Sequence, residues 1–354
     1  MKTIIITGIL GQDGANMAEY LLLKQDEPVK VYGMYRRSAN PNFINASKFK
    51  GHPNFEFRCG DLSDDVSIDL LVEETQPDYF INFAANSFVG VSWDMPEQVM
   101  DVNCIGVLRC MNAIRKFKPD CRFYSAGSSE EFGDVDYSPQ DMKHPIKPRS
   151  PYGASKAAAR HLVKVYRESH GLFAVHGILF NHEGTKRGEE FVTRKITKGV
   201  ARIKKEIVAS AHAHWETGHQ SSITPIELGN LDAKRDWSDS EDFVEGVWLM
   251  INQKEPKDYI LSSGETHSIR GFVELAFKAA EIFGEWRGSG LEEEYGYENK
   301  SKWTTLVKIN KEFFRPAEVN LLLGDSTPIR EELGWKPKIS FDNLVKRMVQ
   351  WDLG

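Results

Sequence analysis

The β-branched run Thr3–Thr7 leads without interruption into Thr7-Gly8-Ile9-Leu10-Gly11-Gln12-Asp13-Gly14, and a helical pattern with Met17, Leu21 and Leu22 follows. No other feature constrains the chain as strongly. Glycines allow a tight turn and close backbone approach, and the helix that follows offers free N–H groups and the positive end of its dipole to an anion. The arrangement fits a dinucleotide pyrophosphate, with Gly8, Leu10, Gly11, Gln12, Asp13 and Gly14 as the contacts. The spacing is GxxGxxG, not GxGxxG, so the strand before it and the helix after it carry the reading.

The alternation continues through the first half. Further candidate strands are Lys30–Met34, Phe55–Arg58, Asp78–Ala84, Arg122–Ala126 and Ala174–Phe180, with helical patterns beginning near Gly11, Asp65, Glu97, Pro151 and Glu190. Strict alternation implies right-handed crossovers and a doubly wound parallel sheet of the Rossmann type, which binds ligands beyond the carboxyl ends of its strands. After about residue 184 the pattern loosens. Short strands, Gly-rich loops and helices near Ile269–Phe283, Pro328–Leu333 and Phe341–Leu353 suggest a smaller C-terminal α/β lobe. Residues 1–183 are expected to form a cofactor-binding domain to which some later segments return, and 184–354 mainly a substrate-binding lobe. Ala209–Pro225 and Gly284–Lys302 read as exposed loops.

Composition narrows the partners. The 354 residues carry 45 Lys+Arg against 51 Asp+Glu, a formal charge of −6, which lacks the cationic footprint that nucleic acid or an anionic membrane requires. No run of about 18 apolar residues is present to span a membrane, and Ile4–Ile6 meets Gly8 before it could serve as a signal peptide. Cys59, Cys104, Cys110 and Cys121 have no CxxC spacing and fit a reducing, cytoplasmic compartment. His212 and His214 with His219 have no carboxylate or cysteine partner at ligand spacing, so they read as loop residues and no metal is expected.

Phosphate must then be gripped locally. At the end of the second strand, where an acidic residue would bind ribose hydroxyls, stand Tyr35-Arg36-Arg37-Ser38. Paired guanidiniums suit a 2′-phosphate and favour NADP over NAD, against the alternative that they solvate a loop. Asp61-Leu62 after the third strand and Phe83-Ala84-Ala85-Asn86-Ser87 after the fourth are candidate adenine and ribose contacts.

Tyr152-Gly153-Ala154-Ser155-Lys156 sets a phenol and an ammonium four residues apart on one helix face. A fixed cation lowers a phenol value that is otherwise roughly 10, so the pair can shuttle a proton beside a nicotinamide. One βα unit earlier the fifth strand ends in Ser125-Ala126-Gly127-Ser128-Ser129-Glu130-Glu131-Phe132-Gly133. Ser128 offers a hydroxyl and Glu130 a carboxylate. Once C4 of a sugar is a ketone, such a carboxylate can remove the C5 proton and protonate a leaving C6 hydroxyl. Glu131 reads as a solvated loop charge.

With these motifs in order the sequence resembles the extended short-chain dehydrogenase/reductase family, and more closely the GDP-mannose 4,6-dehydratase family within it. The most specific stretch, Phe180-Asn181-His182-Glu183-Gly184-Thr185-Lys186-Arg187-Gly188-Glu189-Glu190-Phe191-Val192-Thr193-Arg194-Lys195-Ile196-Thr197, is similar to that family's FNHESPRRGExFVTRKIT segment. Gly229–Trp237, Phe314–Val319, Leu322–Asp325 and Leu333–Pro337 add to it, so the likeness covers nearly the whole chain. It implies a redox-neutral dehydration of a GDP-sugar on tightly held NADP. Tyr152 would take the O4 proton, Lys156 would hold the cofactor ribose, Glu130 would work at C5 and C6, and Ser128, with Ser87 nearby, would bind sugar oxygens. His182 and Arg187 match cofactor positions. Asn181, Val192, Lys195, Arg235, Arg315 and Glu318 match positions that hold the nucleotide-sugar. A homodimer or homotetramer is implied too.

The sequence departs from the family pattern in places. Ser128 stands for a usual Thr, which keeps the hydroxyl and is expected to be tolerated, while Phe132 stands for a Tyr and Phe88 for a common His, which implies a differently shaped sugar pocket. The loop Ser38–Lys50 lacks the usual sequence of a segment that helps build the family's tetramer, Ala209–Pro225 looks longer than usual, and the C-terminus stops early. Three alternatives stay open: the same dehydration on another GDP-sugar such as a GDP-heptose, a nucleotide-sugar 4-epimerase or 4-keto reductase with no use for a C5 base, and a non-catalytic sensor of NADP or a nucleotide-sugar.

Overall fold

A computed structural model describes residues 1–39, 41–217, 223–299, 302–314, 319 and 321–354, with the backbone alone for 211–217 and 299. The chain divides into two compact units. The first comprises Met1–His182, Asp236–Glu265 and Leu322–Lys338, and the second Glu183–Arg235, Thr266–Leu321 and Ile339–Gly354.

The first unit is built on seven strands: β1 (Lys2–Thr7), β2 (Val29–Tyr35), β3 (Phe55–Cys59), β4 (Tyr79–Asn82), β5 (Arg122–Ala126), β6 (Ala174–Leu179) and β7 (Tyr259–Leu261). They pair in the order β3-β2-β1-β4-β5-β6-β7, and every pairing is parallel. The order reverses between β1 and β4, which is where a sheet of this topology opens a ligand crevice. Alternate residues of each strand feed opposite layers. Ile4, Ile6 and Ile81 pack with Ala15 and Met17 of α1 (Gln12–Glu19) and with Phe243 and Val247 of the helix Ser240–Ile251. Ile5, Phe80 and Phe123 pack on the other face with Ile68 of α2 (Asp65–Thr75), Met111 of α3 (Gly106–Phe117) and Val163 of α4 (Pro151–His170). Strands buried on both faces carry the near-continuous apolar runs that made them readable.

The second unit has a four-stranded sheet of Glu285–Arg287, Glu294–Asn299, Lys302–Ile309 and Ile226–Leu228, with helices Val192–Thr217, Ile269–Ala279 and Phe341–Leu353.

Two expected loops are regular structure. Residues 209–217 continue the helix Val192–Thr217, because the alanines at 209, 211 and 213 favour helix and the histidines between them are no barrier. His212 and His214 have backbone only described, and His219 lies outside the described residues. Gly284–Lys302 holds antiparallel strands, since Tyr295, buried at 4% exposure, and Tyr297 favour a strand and outweigh the glycines and glutamates. Strand β4 ends at Asn82 and not Ala84. There the Thr7 hydroxyl donates to Asn82 Oδ1 at 2.5 Å and accepts from the Ala84 amide at 3.0 Å, turning the chain out of the sheet. The helical pattern near Glu97 is a short helix Pro96–Met100 and a wider turn Asp101–Ile105 leading into α3.

Candidate active site

The turn after β1 is made of backbone. Gly8 has φ +67°, a conformation L side chains rarely adopt, and a Cβ there would stand 2.9 Å from the Ala84 nitrogen. The Gly11 amide donates to Gly8 O at 2.9 Å, and a Cβ on Gly14 would stand 2.4 Å from the same oxygen. Gly11 is the N-cap of α1 and supplies no side-chain cap, so the first N–H groups of the helix are presented for an anion. Asp13 is oriented by His182, whose Nε2 lies 3.0 Å from Asp13 Oδ2 and whose Nδ1 lies 2.7 Å from Phe180 O. His182 also stacks on Phe243 at 4.8 Å. Gln12 donates to Asp13 Oδ1 and to His182 O at 3.2 and 3.0 Å.

Further candidates line the carboxyl ends of the neighbouring strands. Arg36 and Arg37 follow β2 and are exposed. Asp61 Oδ1 accepts from the Ser63 amide and hydroxyl at 3.0 and 2.8 Å, and Leu62 is buried while its carbonyl accepts from Arg109 at 3.0 Å. Phe83 packs its ring 5.7 Å from Tyr124, with Ala84 and Ala85 half-buried and Ser87 exposed beyond it. Asn103 was not legible as part of this site. Buried in the wider turn before α3, it accepts from the Asn86 amide at 2.8 Å, donates to Asn86 O at 3.1 Å, and donates to Ser155 at 3.1 Å. It thereby ties the loop after β4 to the helix of Tyr152. Only a buried amide in an apolar stretch could have flagged it.

Helix α4 starts at Ser150, whose hydroxyl accepts from the Gly153 amide at 3.0 Å, with Pro151 at its first position. Tyr152 and Lys156 are buried at 8% and 5% exposure. Lys156 Nζ donates to Ala126 O at 2.7 Å and stands 5.9 Å from the Tyr152 ring centre. Burial lowers its ammonium to about 8, opposed by the charges of Glu131 and Asp13. The turn after β5 sits beside this helix, since a Cβ on Gly153 would be 2.5 Å from Glu130 O. Ser128 Oγ accepts from the Glu130 amide at 3.2 Å, leaving its own proton to donate. Ser128 and Glu130 are half-buried. Glu131 is not a solvated loop charge. It is 0% exposed, turned inward because the Ser128 amide and the His176 imidazole meet its Oε1 at 2.8 and 2.9 Å.

The remaining candidates fall in several places. Asn181, in the first unit, has a buried Oδ1 that no described donor satisfies. In the second unit, Arg187 Nε lies 3.0 Å from Glu183 Oε2 and its guanidinium stacks on Phe191. Val192 is half-buried one helical turn from Lys195, whose Nζ lies 3.5 Å from the Phe313 ring centre. Burial lowers Lys195 against the charge of Glu227. Arg235 is buried and donates to Lys234 O at 3.0 Å. Arg315 and Glu318 lie outside the described residues. Among the described residues, no cluster of His, Cys, Asp and Glu could hold a metal ion, and no helix is long and apolar enough to cross a membrane.

A family model described as GDP-mannose 4,6 dehydratase matches residues 5–348. The chain belongs to the GDP-mannose 4,6-dehydratase family. It is 40% identical over 360 residues to the GDP-mannose 4,6 dehydratase of Drosophila melanogaster, covering 99% of this chain and 86% of that protein. Similarity to the Homo sapiens protein is 39% over 357 residues, with 99% and 91% covered, and to that of Sinorhizobium fredii 41% over 359, with 99% and 97% covered. The fold is that of a dTDP-glucose 4,6-dehydratase from Streptomyces venezuelae solved with NAD, at TM-score 0.79, 19% identity and 99% and 96% coverage. It is also that of RMD from Pseudomonas aeruginosa complexed with NADPH, at TM-score 0.76, 20% identity and 100% and 99% coverage.

One departure from the family pattern takes a different meaning in the structure. Phe132 does not shape a sugar pocket through an open ring face. It is 0% exposed, packed between His144 and Phe180 at 5.2 and 6.1 Å. Phe88, in contrast, is 36% exposed beyond β4.

Proposed function

We propose that the protein dehydrates GDP-mannose to GDP-4-keto-6-deoxymannose by moving a hydride internally from C4 to C6 through bound NADP. The observation that carries this reading is the carboxylate of Glu130 on a turn packed against the Tyr152–Lys156 helix. A 4-epimerase or 4-keto reductase needs Ser128, Tyr152 and Lys156 and has no task for that acid. A sensor gains nothing from a buried ammonium beside a phenol.

A nicotinamide held beside Tyr152 and Lys156 would supply the hydride chemistry needed at C4 and C6. Gly8, Gly11 and Gly14 with the N-terminus of α1 suit a pyrophosphate, because the turn is packed so closely on its own backbone that Gly8 and Gly14 leave no room for a Cβ and the uncapped helix N–H groups face outward from it. Tyr152 takes the O4 proton, its phenolate favoured by Lys156, while Ser128 donates to O4. Glu130 removes the C5 proton and delivers it to the departing C6 hydroxyl, which leaves as water. The proton held by Tyr152 balances the one C5 regains, so substrate and product differ by one water. Lys195 and Arg235 suit the diphosphate by charge, with Asn181, Val192, Arg315 and Glu318 assigned to the rest of the nucleotide-sugar from the family pattern.

The choice of NADP rests on Arg36 and Arg37, two exposed guanidiniums at the end of β2. A homodimer or homotetramer is supported by the exposed apolar row Val91, Trp93, Met95, Met100 and Ile105. A cytoplasmic setting is supported by four free thiols. The test is incubation of the purified protein with GDP-mannose, and separately with a GDP-heptose, without added cofactor. Loss of one water from GDP-mannose by mass spectrometry is expected. No mass change with either sugar, on protein that carries NADP, would refute the reading.

A further inference from the structure

Glu131 and His176 are both 0% exposed, and Glu131 Oε1 meets His176 Nε2 at 2.9 Å. A carboxylate only accepts, so Nε2 donates. The same Oε1 accepts from the Ser128 amide, and the Ser128 hydroxyl accepts from the Glu130 amide, so the two reacting groups of the turn hang on this carboxylate. His176 is anchored from behind. Its amide donates to Asp258 Oδ1 at 2.8 Å, and Asp258 receives a forked Arg167 at 2.7 and 3.0 Å. Gly127 makes the room, since a Cβ there would stand 2.2 Å from His176 Nε2 and 2.6 Å from Glu131 Oε1. Two apolar side chains would fill such a space without the cost of burying a carboxylate and an imidazole. Packing alone does not account for the pair.

Resting on the proposed function, we infer that Glu131 and His176 are positioning residues for the dehydration: they hold the Ser128–Glu130 turn in place for the reacting atoms. His176 of β6 and Arg160 of α4 act on Glu131, which burial would otherwise keep neutral, and with the Ser128 amide they hold it below the usual carboxylate value. Glu131 and Asp13 both act on Lys156 and on Tyr124 of β5. Glu131 opposes the desolvation of Lys156 more than Asp13 does.

Two variants test the tether. Glu131→Gln keeps an acceptor for the Ser128 amide and the His176 imidazole, so its kcat is expected to stay at least about tenfold above that of a variant with no tether. The double variant E131L/H176L removes the tether in an apolar space. Its kcat is expected to fall about tenfold to a hundredfold with KM within about threefold, at wild-type thermal stability. A Glu131→Gln kcat no higher than that of the stably folded double variant overturns the inference, as does wild-type kcat in that double variant. If the double variant does not fold, His176→Leu, read by the same kcat and exchange measurements, decides. Hydrogen exchange of the 127–132 amides, measured without substrate, is expected to quicken about tenfold in E131L/H176L. Unchanged exchange also overturns the inference. A wild-type protein inactive on GDP-mannose refutes the proposed function instead, and exchange still reads the tether.

Discussion

Two turns at carboxyl ends of strands of the same sheet, one after β1 and one after β5, are built in opposite ways. The first is held by backbone, with Gly11 N–H on Gly8 O at 2.9 Å and positions 8 and 14 that exclude a Cβ. The second is held by side chains, with Ser128, Glu131 and His176 in one chain of hydrogen bonds that runs from the half-buried turn to a buried imidazole. A turn that binds a pyrophosphate needs N–H groups and space, so it is defined by what is missing. A turn that moves protons needs a hydroxyl and an acid held still in a low dielectric, so it is defined by the charges hidden beneath it.

The largest effect is expected at the second turn. Glu130→Gln keeps shape and removes the acid, and should lower dehydration by about 10³-fold while NADPH binds as to wild type. Mass spectrometry of the GDP-sugar and fluorescence of bound NADPH read the two quantities. A variant that lost cofactor along with activity would break the distinction between the turns. The reverse is expected of Gly14→Ala. Its new Cβ would fall 2.4 Å from Gly8 O, so the turn must open and cofactor binding should weaken by about 100-fold. Unaltered binding would mean that the first turn tolerates what its geometry excludes.

The two turns were also unequally legible in the sequence. Glycine spacing after a β-branched run announces the first turn because backbone demands show directly as residue type. The positions of β1 to β6 along the chain follow from apolar runs for the same reason, whereas β7, only Tyr259–Leu261, is too short to carry a pattern. Glu131 looked like any loop charge, since its meaning lies in His176, 45 residues away. Asn103 is opaque in the same manner, with partners at Asn86 and Ser155. The helix through 209–217 was missed because polar residues masked a run that alanine sustains.

Lys156 tests the cost of the second turn in stability. Its ammonium is lowered to about 8 from 10.5, first by burial. In that window the unfolded chain binds the extra proton, so stability rises with pH between the two values and the burden is full below about 8. Lys156→Met should stabilise the cofactor-free protein at pH 7 by roughly 1–3 kcal/mol, measured by urea unfolding. The gain should shrink as pH rises through the window, while dehydration is lost. A destabilised variant at pH 7 would mean that the bond to Ala126 O outweighs desolvation.

The smallest effect is expected beside the first turn, at Arg36 and Arg37. Both are exposed, so a 2′-phosphate would be held there under full solvent screening. Each arginine replaced by alanine should reduce the preference for NADPH over NADH by about tenfold or less, a discount on the ~1.5–3 kcal/mol of a charged hydrogen bond. The ratio of the two dissociation constants isolates the phosphate from the shared pyrophosphate contacts. Raising salt should lower the wild-type ratio toward that of the variant, because the interaction is electrostatic. A ratio that neither substitution nor salt moves would assign the arginines to solvation of the loop, and the first turn would then bind its cofactor by backbone alone.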